Sequence, residues 1–217
     1  MLILDASRRC MIVFAAIATC LLLSAATARA DPVTFVLQGP AFSSNSPAGS
    51  ITITITQNTA SSVQISIVNN TDGDIDDLYF NNILAGPSWG TANGCTQCSA
   101  VLFGSNAFKA DGDGFYDLQL MFPTSGGSHG PDRFAPGDTV VFTVSATGIT
   151  PESFLAFSSP GGGAGPFQVA AHVISIDSQG GQSGWISDKP VPEPATLLLL
   201  GSGLVGAATC LRKRLHL

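Results

Sequence analysis

Two short acidic clusters and one cysteine pair carry most of the side chains in this sequence that could do chemistry. "NNTDGDIDDLYF" holds Asp72, Asp74, Asp76 and Asp77, and "KADGDGFYDL" holds Asp111, Asp113 and Asp117. Calcium takes six to eight oxygen ligands, so aspartates alternating with glycine are the residue types such a loop needs. The second cluster begins like an EF-hand loop, but Phe115 takes the third ligand position and Phe122 the twelfth, where a bidentate Glu belongs. The first cluster has no downstream Glu either. A calcium site drawn from Asp72, Asp74, Asp76, Asp111, Asp113 and Asp117 is therefore one expectation. The other is a set of solvated turns that use Asp and Asn to tolerate left-handed backbone.

Cys95 and Cys98 form a C-x-x-C pair. In an exported chain this spacing points to a disulfide before a metal half-site, since a zinc site would need a second pair or two suitably spaced histidines. His129 and His172 stand apart in the sequence. A redox motif of the thioredoxin kind opens a helix after a strand, whereas "WGTANGCTQCSAVLFG" has the composition of a turn-rich loop.

Enzymatic signatures are sparse. A serine nucleophile needs a base, the body offers only His129 and His172, and no G-x-S-x-G elbow is present. His172, in "QVAAHVISI", is expected to be packed or hydrogen-bonded within a sheet. Glycosidase chemistry needs only two neighbouring carboxylates, and Glu152, the sole glutamate of the body, has nothing that selects it as an acid. Trp89 and Trp185 fall in glycine-bearing stretches read as loops, where they would stack on a polysaccharide or plug the end of a β domain. "SSPGGGAGPF" and "SQGGQSGW" are read as loops and not phosphate cradles, because no lysine and no helix follows the glycines.

The elements that would position these residues are strands. "GSITITITQN" places Ile51, Ile53 and Ile55 on one face, and "SVQISIVNN" repeats the pattern with Val63, Ile65 and Ile67, the two joined through Asn58 to Ser61 as a hairpin. Further strands are expected at Val33 to Leu37, Asp77 to Phe80, Ser99 to Phe103, Phe115 to Phe122, Thr139 to Ala146, Ser153 to Ala156 and Phe167 to Ile176. Eight or nine short strands without helical periodicity predict an all-β fold, an antiparallel two-sheet β-sandwich spanning 31–189.

The ends differ from this body. Arg8 and Arg9, the apolar run Met11 to Leu23, and the small residues Ala28 and Ala30 read as a signal peptide over 1–30 with cleavage before Asp31. A lipoprotein box ending at Cys20 is the rival. Without its ends the body holds 13 acidic and three basic residues, a net charge of −10. That excess argues against nucleic acid or anionic lipid as a partner.

At the other end, Pro192, Glu193 and Pro194 precede the 17 uncharged residues Ala195 to Leu211, and Arg212, Lys213 and Arg214 follow. At 1.5 Å per residue the run covers roughly 25 Å, a marginal span for a hydrocarbon core of about 30 Å. The basic cluster would stay cytoplasmic, in keeping with an exported body. This arrangement over 190–217 resembles the PEP-CTERM sorting signal of Gram-negative bacteria that make exopolysaccharide. The resemblance implies a transient stop in the inner membrane, processing by an exosortase, and delivery to the cell surface or extracellular matrix. The body also resembles uncharacterised PEP-CTERM proteins, through "DGDGFYDLQLMFPTS", "RFAPGDTVVFTVSATGIT" and "GPFQVAAHVISI", and that likeness implies no activity. The expected protein is an exported, non-enzymatic surface component. The alternative is a secreted polysaccharide-binding module or a glycan-acting enzyme.

Overall fold

A computed structural model describes residues 30–41, 43–84, 91–161 and 165–188. Among these, eleven strands form one antiparallel sheet. They are β1 (Val33–Pro40), β2 (Gly49–Thr59), β3 (Ser62–Thr71), β4 (Asp74–Phe80), β5 (Thr91–Asn93), β6 (Ala100–Lys109), β7 (Gly114–Met121), β8 (Thr139–Ser145), β9 (Ser159–Pro160), β10 (Val169–Ile176) and β11 (Gln182–Asp188). The ladder runs β5-β8-β3-β2-β1-β11-β10-β4-β7-β6, and β9 pairs with β7.

The Ile/Thr alternation sets the register of one half. Ile53 lies opposite Ile67, which lies opposite Val140; Ile55 lies opposite Ile65, which lies opposite Phe142. All six side chains are buried. A one-residue slip would turn every one of them toward water, so the pairing is strongly specified.

The all-β expectation holds, but the hydrogen-bonded ladder is continuous and does not divide into two sheets. Its ladder folds over. β3 and β4 stand five places apart, about 24 Å in a flat sheet at ~4.8 Å per strand. The link between Thr71 and Asp74 is only Asp72 and Gly73, and it spans at most about 11 Å. The sheet must therefore curl until β3 and β4 meet. A shared core confirms it, with Ile51, Ile65 and Phe142 from one half and Leu78, Leu120 and Val173 from the other in one buried cluster.

Asn69 latches the crossover. Its Nδ2 donates to the carbonyls of Gly73 (2.9 Å) and Phe134 (3.1 Å), and its Oδ1 accepts from the Thr71 N–H (3.0 Å) and hydroxyl (2.7 Å). Phe134 in turn accepts the Ile75 N–H at 3.1 Å, tying β4 to the chain that enters β8.

Several expected elements differ: Thr91–Asn93, in the stretch read as a turn-rich loop, is β5, and Ser159–Pro160 of "SSPGGGAGPF" is β9. Ser153 to Ala156 is not a strand: Pro151–Leu155 forms a 3-10 helix, with Pro151 at its start, where a missing N–H costs nothing. The Thr150 N–H donates to Ser153 Oγ at 3.0 Å. Conversely, the stretch containing Trp185, expected as a loop, supplies β11, between β1 and β10.

Candidate functional site

A bulge in β4 builds a polar and aromatic face on the outside of the sheet. Asp77 pairs with His172 and Ile75 with Val173, so Asp76 is an extra residue in the ladder. Ile75 and Leu78 both point into the core at 0% exposure. Asp76 and Asp77 consequently share the opposite face, which regular pleating forbids for adjacent residues.

His172 sits between them and Trp185. Its Nδ1 lies 2.8 Å from Asp76 Oδ1 and 3.0 Å from Oδ2. Its ring lies 4.8 Å from that of Trp185. Tyr79 continues the row, 5.7 Å from both Trp185 and Tyr116. Gln119 Nε2 donates to Asp77 Oδ1 at 2.9 Å and to the Tyr79 hydroxyl oxygen at 3.1 Å. Burial pushes the Asp77 carboxyl up, helped by the Asp76 charge and opposed by Gln119. Burial opposes charging of His172, but the Asp76 bond and the surrounding carboxylates outweigh it and raise its pKa. Burial and the nearby aspartates also hold the Tyr79 phenol protonated.

The six aspartates considered as calcium ligands go separate ways. Asp72 works as a clamp, accepting the N–H groups of Ala48 (2.7 Å) and Ser178 (2.8 Å). Burial alone would raise its pKa, but the Ser178 and Ala48 bonds lower it. Asp74, 1% exposed, is held by Arg133 Nη1 at 2.9 Å and His129 Nδ1 at 2.6 Å. A guanidinium in that position occupies the carboxylate and repels a cation. Asp76 serves His172. Asp111 lies exposed in the β6–β7 turn. Asp113 accepts the Tyr116 hydroxyl, and burial raises its pKa. Asp117 accepts the N–H groups of Asn82 (3.2 Å) and Asn106 (2.7 Å). Among the described residues no group of three or more His, Cys, Asp or Glu side chains could hold a metal ion.

His129 is not isolated. Besides Asp74 it reaches Asp177, Nε2 to Oδ1 at 3.2 Å. The Asp74 hydrogen bond, against a smaller effect of burial, raises its pKa above 6.5. A raised folded-state pKa adds stability below the unfolded value that is lost as pH climbs through the folded value. The melting temperature is therefore expected to fall as pH rises above about 6.5, and a His129→Gln/His172→Gln variant, followed by circular dichroism, should flatten that decline. Asp77, Asp113 and Asp188 shift in the same sense from a starting value of 3.8, so the double variant is needed to isolate the histidines.

Cys95 and Cys98 are joined in a disulfide, Cα atoms 5.4 Å apart, and pack against the core. A cleft of about 240 Å³ opens at the far end of β4, lined by Asn81, Asn82, Ser105, Asn106, Asp117 and Phe157 among others. Sequence reasoning passed over Arg133, Gln119 and the two asparagines. The three-residue step from Ile75 to Leu78, which breaks the period of two, is the signal that would have revealed the bulge.

Ala28, the signal-peptide residues before Ala30, Trp89, and the tail with Pro192, Glu193, Pro194, Arg212, Lys213 and Arg214 lie outside the described residues. Among those described, no helix is long and apolar enough to cross a membrane.

An all-β body followed by a C-terminal segment of Pro-Glu-Pro, apolar run and basic cluster defines a protein addressed by its tail. Residues 190–214 match the family described as the PEP-CTERM protein-sorting motif. The motif implies export across the inner membrane of a Gram-negative bacterium to the cell envelope and processing by an exosortase. No curated protein and no solved structure matches the chain.

Proposed function

We propose that the chain is an exported, non-enzymatic surface or extracellular-matrix protein whose tail pauses in the inner membrane and is cleaved by an exosortase. The sorting motif at 190–214 carries this reading. Two features of the body support it. Several of its buried ionisable groups are engaged with each other: Asp74 with Arg133, His172 with Asp76, Asp113 with Tyr116. The folded-over sheet closes on one shared core, a scaffold suited to display.

Mass spectrometry of the protein from its host tests the proposal. The mature chain is expected to begin at Asp31 and to lack Arg212 to Leu217; retention of those residues would make the tail a plain anchor. Glu193→Ala should cause the unprocessed precursor to accumulate, whereas a plain anchor would not respond.

A secreted polysaccharide-binding module or glycan-acting enzyme is the second reading. The bulge-paired carboxylates Asp76 and Asp77 beside Trp185 favour it. Turnover of a polysaccharide that Asp77→Asn abolishes would establish the enzyme, and inertness of the wild-type chain against a polysaccharide panel would remove it.

A further inference from the structure

The cleft beyond β4 has a composition that none of the roles above uses. Three irregular stretches open it. The β6–β7 pairing breaks between Phe103 and Phe108, and the residues between them, including Ser105 and Asn106, leave the ladder, with Asn106 at φ 48°. Asn81 and Asn82 follow the end of β4. Ala156 to Ser159 pass opposite, after the 3-10 helix.

The wall is held from inside. Asp117 fixes the Asn82 and Asn106 backbones, Asn82 Oδ1 accepts the Leu84 N–H at 2.7 Å, and Ser159 Oγ bonds Asn106 Oδ1 at 2.5 Å. Two donors remain. The Nδ2 groups of Asn81 and Asn82 are buried without a partner, in side chains only 2% and 6% exposed. Native proteins rarely bury an amide NH₂ unpaired, so two just beneath one wall give these side chains reason to turn toward an acceptor that enters the cleft. At the rim Phe157 is 50% exposed, an open aromatic face beside the polar groups.

These groups select a ligand class. Among the described residues no Lys or Arg lines the cleft and one carboxylate does, so phosphate, sulfate and uronate find no counter-charge there, and the acidic body repels them. A cation would find one carboxylate already accepting two backbone N–H groups. Hydroxyls suit the site, since each accepts from an amide and donates to Asp117, and a pyranose also offers an apolar C–H face to an aromatic ring. At about 240 Å³ the cleft is smaller than the roughly 300–1,000 Å³ of drug-sized pockets, which suits one ring, not a threaded chain.

We propose that this cleft binds a single residue of a neutral saccharide, its ring on Phe157 and its hydroxyls on Asn81, Asn82 and Asp117. This rests on the binding half of the second reading and moves the contact away from Trp185; it stands whether or not the tail is cleaved.

The test is an array of neutral and uronate-bearing oligosaccharides probed with the full chain in a sugar-free detergent. Binding of neutral sugars alone is expected, weakened about tenfold or more by Phe157→Ala, whose half-exposed side chain contributes little to the fold. Asn82→Asp, which keeps the acceptor for Leu84 and removes the NH₂, should weaken binding similarly but melt lower, because it buries a second carboxylate beside Asp117; Phe157→Ala should melt near wild type. Absence of neutral-sugar binding at millimolar concentration overturns the proposal. Binding that survives both variants and is lost in Trp185→Ala overturns the cleft while sustaining a sugar contact on the outer face.

Discussion

Replacing Arg133 with methionine should lower the unfolding free energy by about 3–5 kcal/mol, the usual cost of removing one partner from a buried ion pair. Arg133 is 8% exposed and Asp74 1%, so water cannot take over from the guanidinium. Three further bonds would go with it, to Ser175 Oγ (3.1 Å), the Ser125 carbonyl (3.3 Å) and the Thr124 carbonyl. His129 remains as a second partner of Asp74, which keeps the loss within that range. In a double-mutant cycle by urea denaturation, Asp74→Asn should recover part of the loss in the Arg133→Met background, because the uncompensated charge, and not the missing side chain, is the main cost. Equal losses with and without Asp74→Asn would show that packing of the arginine stem dominates instead.

Phe134→Ala should cost a similar amount, about 3–5 kcal/mol, for the buried ring and the cavity left behind. Phe134 is 0% exposed and packs on Phe122 with ring centroids 4.8 Å apart. Its carbonyl also accepts from Ile75 and from Asn69, so loosening the residue weakens the latch at which the sheet folds over. Against a typical total of about 5–15 kcal/mol, either change removes a large fraction. Phe134→Leu, which retains most of the volume, should cost clearly less in the same measurement.

The strands of the Ile/Thr hairpin were legible because period-two alternation reports which face is buried, and Ile51 to Ile67 follow it closely. Periodicity says nothing about which edges pair, so the continuity of the ladder was not legible. β11 escaped notice for a related reason: Gln182, Ser183 and Gly184 offer no apolar alternation, and the strand buries Ser187 and Asp188 on a polar network, with Asp188 accepting the Val169 N–H at 2.8 Å. The aspartates of "NNTDGDIDDLYF" misled through their spacing. In an unbroken strand Asp72, Asp74 and Asp76 would share one face; the crossover at Asp72 and Gly73 and the bulge at Asp76 redirect two of the three. Their partners lie far along the chain, Arg133 59 residues from Asp74 and His172 96 from Asp76, beyond what local composition can reveal. The Cys95–Cys98 disulfide was legible because its partners are three residues apart.

The placement of β11 between β1 and β10 has a consequence for timing. Among the described strands it is the last to be made, yet it fills an interior lane beside the first. A chain that crosses the membrane N-terminus first cannot close its ladder until Asp188 has emerged, and only Lys189 then separates that residue from the matched sorting segment at 190. Completion of the body and arrival of the tail are thus nearly one event. If the tail pauses in the inner membrane as proposed, that one-residue spacing would hold the finished domain beside the bilayer, within reach of a membrane-embedded protease, at the moment cleavage becomes available.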